Sequence, residues 1–559
     1  MRLLTHPIVW VTLLLSLFAF QVGSFMVLHS NTYDEVTYIG SGLRYVTAGN
    51  LDMDITEHPP LMKYAIGLAL TPYFKKCWSP TAINNSYRTG FDALYRSGTN
   101  PRILLAVARL PTLLLALLLG GFIYLWASRW FGPFGDMLAL TVYAFEPTLI
   151  AHSGQATFDL PMTTFLFIAT YFMVLYMETA SVRYLLVCGL FLGFAIATKV
   201  TAFAAAVWLP LILAFGDKPP VLFNKPIRWR TIGHLAVGMI GVPFLVLVVV
   251  YQFVELDRFF VMFFHRFAEV TAGSAGTPNY FHGIIREGGW RSFYVKAFLI
   301  KTSIPFLFLI ALGFLGARSR KLWVLIIPVV VVFSFASLSS IQQGIRYVLP
   351  AFPFLCLWVG CIVDVPLKWA RVVAGGLVMW CFVEAVMIFP SYLAYFNQFV
   401  GGPANGYKWL VDSNLDWGQD FPALGLLLKN HGNPEVMVAA FSTADVGYFI
   451  GPHQNILPDP NIQTSVEGHI NSLAPKVEFL VVSATFLQGL WLTDPRLFEW
   501  LRGREPLAKV GYSLFVYDVT HDAFSQRNVG LIYQRLRRDA LVARQFRRAQ
   551  DLMLDKSPI

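Results

Sequence analysis

Pro7 to Leu28 reads PIVWVTLLLSLFAFQVGSFMVL, an uncharged run that recurs in kind along most of the chain. At 1.5 Å per residue, about 20 apolar residues cross a hydrocarbon layer of ~30 Å. Further apolar runs lie near residues 103–127, 135–151, 157–178, 184–216, 232–254, 298–316, 322–340, 348–364 and 372–390. Such a chain folds around a bilayer, and composition agrees. Only 14% of its 559 residues are charged and 56% are hydrophobic, whereas about a quarter of a soluble domain is charged. The first run is longer than a leader-peptide core and lacks an A-x-A-like cleavage site, so it is expected to be retained. Cys188, Cys356, Cys361 and Cys381 lie in apolar runs and Cys77 stands alone in a loop, which gives no disulfide framework.

The parity of the crossings turns on Tyr184 to Gly216, which is too long for one ordinary span. Two helices broken near Thr198-Lys199 place Arg129, Arg183, Lys218, Lys225, Arg228, Arg230, Arg318, Arg320, Lys321, Lys368 and Arg371 on one side, as the positive-inside rule requires. The net charge of +10 is thereby spent in short loops, and no nucleic-acid partner is expected. The expected fold is a polytopic α-helical membrane protein with about eleven transmembrane helices over 1–390 and the N-terminus inside. Loops 30–101 and 255–297 then face outward, as does the segment 391–559. In that segment VMVAAF, VEFLVVSATF and SLFVYDV are strand-like runs between turn residues, the pattern of a small α/β domain. VEFLVVSATFLQGLW is short for a further span. The Arg-rich tail, Arg527 to Lys556, reads as a helix with either a solvated basic face or a contact with anionic headgroups.

The first outward loop opens with NTYDEVTYIG and closes with ITEHPPLMKY. Asp34 and Glu35 stand within a few residues of the end of the first span, where partial desolvation makes a carboxylate a better proton acceptor. Pro59 and Pro60 hold the chain extended before an apolar stretch, which keeps Glu57 and His58 at the same membrane face. Carboxylates and an imidazole converging there suit a divalent metal or a phosphate-bearing substrate. Asp52-Met53-Asp54 adds a D-x-D triplet of little specificity. Arg109, Lys199, Lys301 and Arg346 sit inside or at the ends of apolar runs, where an ionised group costs about 3 kcal/mol at the bilayer centre. Such cations need partners or, as Lys301 can, snorkel to the interface. A lipid-linked phosphosugar entering from the membrane accounts for both sets.

These motifs resemble, in order along the chain, the GT-C glycosyltransferases. The similarity is to the family 39 protein O-mannosyltransferases and the lipid A aminoarabinose transferases. They are YDEVTYIGSGLRYV, EHPPLMKY, ARLPT, ATFDLPMTTF, GLFLGFAIATKVTA, NYFHGIIREGGWRSFYVKAFLIKTSIPFLFLI, GIRYVLPAFPFL and FNQFVGGPANGYKWLVDSNLDWGQD, within residues 1–425. The resemblance implies a GT-C fold and an inverting transfer from a polyprenyl-phosphate sugar to a hydroxyl or phosphate of a protein, lipid or glycan. By position, Asp34 would be the base and Glu35 would orient it or help bind a metal. His58, Arg109, Asp159, Lys199, Arg346 and Tyr347 would hold the donor phosphate and its lipid carrier. Glu57 corresponds to a metal-contacting acid of the aminoarabinose transferases, where the next residue is often Lys. Here it is His58, as in the mannosyltransferases, so the resemblance leaves a divalent metal cofactor open. It further implies a plasma (inner) membrane location with the site and the C-terminal domain extracytoplasmic, and membrane lipids as partners.

The chemistry is self-consistent. A sugar phosphate leaves as an anion and needs nearby positive charge rather than a second carboxylic acid, so one base and a cationic cluster suffice. A transporter or flippase of lipid-linked sugars is the rival reading, but it would bury its ligand groups near the midplane in repeat-related helices. The acids here are concentrated in an outward loop, which favours an enzyme. A catalytically silent scaffold is a third reading, against which the intact DE and EHPP stand.

Overall fold

The computed structural model of the protein describes residues 7–48, 58–74, 85–215, 229–253, 256–271, 277–317, 322–457 and 476–554. The chain forms two compact units. One comprises Met1–Val27, Asp34–Asn279 and Arg286–Val400, the other Leu28–Tyr33, Tyr280–Ile285 and Gly401–Ile559.

The first unit is helical. Among the described residues six helices are long and apolar enough to cross a membrane: Pro7–Leu28, Pro101–Phe145, Asp159–Thr179, Thr231–Val250, Ile345–Asp364 and Trp369–Ile388. A bent pair, Phe293–Lys301 and Ile304–Gly316, makes a seventh crossing if taken as one span, and Val182–Ile196, Val200–Phe215 and Trp323–Leu338 are shorter. The expectation of about eleven spans therefore meets six or seven of full length, because several apolar runs fold into short or broken helices. The protein is a mostly helical, multi-span membrane protein. Asp159–Thr179 is buried on nearly every face, whereas Pro7–Leu28 and Trp369–Ile388 leave most of theirs to lipid.

The breaks have local causes. In Pro101–Phe145, Gly132 adopts φ +68° and Pro133 follows, so helical hydrogen bonding cannot run through. The run from Tyr184 breaks where expected: Val182–Ile196 ends, Lys199 is extended, and a 3₁₀ turn, Val200–Ala204, leads into the next helix. The bent pair turns by 110°, which releases backbone groups that lipid cannot satisfy. Asn397 Nδ2 donates to Leu299 O (2.7 Å) and Thr302 O (2.9 Å), and Ser303 Oγ donates to Glu146 Oε2 (2.8 Å). Lys301, a candidate for snorkelling, is instead buried and donates to Leu393 O at 2.7 Å.

A short hairpin joins β1 (Pro278–Phe281) to β2 (Ile284–Glu287). The second unit carries a mixed sheet of β3 (Glu435–Ala439), β4 (Gln454–Asn455), β5 (Glu478–Ser483), β6 (Ala508–Val510) and β7 (Leu514–Asp518), in the order β4-β3-β5-β7-β6. β3 runs parallel to β4 and β5, while β7 is antiparallel to β5 and β6. β5 is buried along its whole length, so VEFLVVSATF is a sheet centre and not a span. The Arg-rich tail forms two helices, Ala523–Arg535 and Asp539–Leu554, rather than one, with Arg537 at φ +56° between them. Arg527, Arg535, Arg537 and Arg547 are exposed, but three arginines turn inward: Arg538 donates to Asn455 O (2.7 Å), Arg548 to Thr520 O (3.0 Å), and Arg544 reaches Glu435 (3.4 Å) and Glu478 (3.6 Å). Neither reading of the tail as a solvated face nor as a headgroup contact describes these three.

Candidate active site

Asp34 occupies the turn immediately before the helix Glu35–Ala48, and its carbonyl accepts the bond from Tyr38 N that starts the helix. Its side chain does not cap that helix but reaches Arg346, whose Nη1 lies 2.8 Å from Asp34 Oδ2. The same Nη1 is 3.9 Å from Asp159 Oδ2. Asp159, at the first position of Asp159–Thr179, holds Lys199 Nζ at 2.5 Å. Two carboxylates and two cations thus alternate, paired across 312 positions for Asp34 with Arg346 and 40 for Asp159 with Lys199. Tyr347 lies under both cations, its ring centre 4.9 Å from Lys199 Nζ and 5.7 Å from the Arg346 guanidinium carbon. Burial is graded: the Asp34 side chain is 23% exposed and the others below 10%, so Asp34 is the member a substrate can reach.

Tyr38 belongs to this group although nothing in the sequence singled it out. Its hydroxyl donates to Asp34 Oδ2 at 3.4 Å. The available signal was its position four residues after Asp34, one helical turn on. His58 stacks edge-on against Phe158 (5.2 Å) and Tyr38 (6.0 Å), and its carbonyl accepts from the buried Lys63 Nζ at 2.9 Å. In the loop before Asp159, Gln155 Nε2 and Thr157 Oγ1 are buried and make no hydrogen bond among the described residues.

Glu35 and Arg109 have a different place from the one their spacing suggested. The first helical turn points Glu35 away from its neighbour, into a bidentate pair with Arg109: Nε to Oε1 at 2.8 Å and Nη2 to Oε2 at 2.7 Å. Ala156 N donates to Glu35 Oε1 at 2.7 Å, and Arg109 Nη1 donates to Met26 O at 2.7 Å. Both side chains are fully buried. The pair ties the start of the Glu35–Ala48 helix to Pro101–Phe145 and to the loop before Asp159.

Glu57, Asp52 and Asp54 lie outside the described residues. Among the described residues no three of His, Cys, Asp and Glu converge as metal ligands, and Asp34 and Asp159 are each paired with a cation. Both carboxylates are thus committed to cations, and Glu57, the acid that the resemblance links to a metal, is not among the described residues.

Residues 104–263 match the model of a family described as dolichyl-phosphate-mannose-protein mannosyltransferase. The match covers less than a third of the chain. No curated protein matches its sequence significantly. Among solved structures, the chain is similar to ArnT from Cupriavidus metallidurans in the apo state, with 13% identity, 91% of this chain and 97% of that chain covered, and a TM-score of 0.47. The same protein bound to undecaprenyl phosphate gives 14% identity, 91% and 98% coverage and a TM-score of 0.47. The Archaeoglobus fulgidus oligosaccharyltransferase in complex with Zn and sulfate gives 11% identity, 86% and 70% coverage and a TM-score of 0.37. The matched family is one of transferases, not of transporters.

Proposed function

We propose that the protein is a membrane glycosyltransferase that moves one sugar from a polyprenyl-phosphate carrier to an acceptor hydroxyl, with inversion at the anomeric carbon, on the outer side of the membrane. The observation that carries this reading is Arg346 held between Asp34 and Asp159 beside Lys199: a reachable carboxylate next to buried positive charge. The acceptor hydroxyl attacks C1 from the face opposite the phosphate and its proton passes to Asp34. The C1–O bond breaks and the polyprenyl phosphate departs with the electron pair.

Arg346 and Lys199 face that developing charge already oriented, so they stabilise it without reorganising. An incoming phosphate competes with Asp34 for Arg346, and the exchange releases Asp34 to accept the proton. His58, Gln155 and Thr157 are further donors for the phosphate, and Tyr347 keeps both cations in place. Glu35 and Arg109 are positioning residues in this scheme. The outward placement rests on loop charge, with Arg129 and Arg183 at the opposite ends of their helices from Asp34 and Asp159.

The test is transfer of radiolabelled sugar from polyprenyl-phosphate donors in membranes. Asp34→Asn should lose activity by about 10²–10⁴-fold, the usual contribution of a positioned base, with donor binding kept. Undiminished transfer would remove Asp34 from the mechanism.

A further inference from the structure

We propose that His152 is a positioning residue for the donor phosphate and acts through Gln155: it holds the Gln155 amide so that the N–H groups, and not the oxygen, are presented to a phosphate oxygen. This rests on the glycosyltransferase reading above and deepens it, because it gives a task to a buried ring that the transfer step itself does not use.

Both side chains belong to the segment that leads into Asp159. His152 lies in the last turn of the short helix Pro147–Ser153, and Gln155 follows in the loop, four residues before Asp159. Both are buried. Asp159, Arg346 and Lys301 all act electrostatically on the His152 ring, which places it beside the cations that face the donor.

Hydrogen bonding decides which way the amide faces. His152 Nδ1 lies 3.1 Å from Gln155 Oε1. An amide oxygen only accepts, so Nδ1 carries the proton and donates. With its oxygen held, the amide turns Nε2 to the other side, where that nitrogen is buried and has no hydrogen-bond partner among the described residues. Thr157 Oγ1, two residues on, is buried in the same condition. The chain between them is anchored: Ala156 N donates to Glu35 Oε1 at 2.7 Å, and Glu35 is clamped by Arg109. The loop therefore cannot swing to relieve either group.

A buried donor left without a partner calls for an explanation, and a ligand that brings the acceptor is one. The ligand here must carry acceptor oxygens and negative charge, since Arg346 and Lys199 stand in the same site, and a phosphate has both. An amide turned the other way would set its oxygen against the phosphate oxygens. One hydrogen bond from His152 thus decides whether Gln155 attracts or repels the donor.

The experiment is isothermal titration calorimetry on the detergent-solubilised full-length protein. The probes are farnesyl phosphate, a polyprenyl phosphate without sugar, and farnesol, which lacks the phosphate. The unsubstituted protein should bind farnesyl phosphate at least tenfold more tightly than farnesol. Gln155→Met and His152→Leu should each weaken farnesyl phosphate about tenfold and leave farnesol unchanged. His152→Asn, whose amide N–H takes the place of Nδ1–H, should restore binding to within about threefold. The double variant should bind no more weakly than Gln155→Met alone, because a residue that acts only through Gln155 has nothing to act on once the amide is gone. Should His152→Leu not fold, His152→Phe keeps the bulk of the ring without its nitrogens. Full binding in the folded single variants, additive losses in the double variant, or His152→Asn as weak as His152→Leu each overturns the role of His152. Equal affinity of the unsubstituted protein for both probes would instead sink the phosphate-donor reading together with this inference.

Discussion

Asp34 and Glu35 are neighbours with opposite fates, and the cause is a helix that begins between them. Asp34 is in the turn and meets Arg346; Glu35 is helical and fully buried against Arg109. A buried ion pair contributes little over a hydrophobic pair of similar volume, but removing one partner strands the other charge, at about 3–5 kcal/mol. Glu35→Gln or Arg109→Met alone should therefore lower the unfolding temperature in detergent more than Glu35→Leu and Arg109→Met combined. A double variant at least as unstable as the singles would show that the pair itself supports the fold. In the sequence both acids looked equally suited to catalysis, since chain adjacency carries no information about which way a side chain leaves the backbone.

Whole elements are positioned by glycines at close crossings. A Cβ on Gly40 would fall 1.8 Å from Ser86 O, and one on Gly90 would fall 1.8 Å from Val36 O. The helices Glu35–Ala48 and Ser86–Tyr95 thus touch backbone to backbone, and Gly42 with Gly67 gives the same contact to Leu61–Leu70, where the Cβ on Gly67 would meet Gly42 O at 2.1 Å. Small residues at interfaces allow this approach. Gly40→Ala must push the helix that follows Asp34, at a cost of about 1–3 kcal/mol for overpacking. Transfer should fall along with the unfolding temperature, whereas Gly121→Ala, whose Cβ meets nothing within 4 Å, should change neither. The apolar runs, the break at Thr198-Lys199 and the strand segments were legible, because helix and strand periodicity is local. The split of the tail into two helices was not, since a single residue in the left-handed region, Arg537, decides it.

At the scale of the molecule, pH acts on the second unit through two buried carboxyls. Burial, the largest cause for each, raises Asp416 to about 7 and Asp420 to about 8 from the ordinary carboxylate value of 3.8. Unfolded, both ionise near pH 4, so between about pH 4 and 8 the folded state holds protons that the unfolded state has released. Stability from this source is full in acid and declines as pH rises across that window. His29 Nε2, 3.5 Å from Asp420 Oδ1, opposes the decline only while it is protonated. The unfolding temperature of the full-length protein should be lower at pH 9 than at pH 5.5, and Asp420→Asn should flatten the dependence. An unfolding temperature that rises from pH 5.5 to 9 in the unsubstituted protein would contradict the assignment.

Composition and periodicity by themselves determined that this chain enters a membrane, where its apolar runs lie, and that an acidic loop and scattered cations had to be explained. These follow from the solvation of single residues and short runs, which any stretch of sequence carries. Only the tertiary structure decided which acid meets which cation. Arg346 joins Asp34 across 312 positions and Lys199 joins Asp159 across 40, and pairings at such separation depend on how helices cross, not on any pattern within one of them.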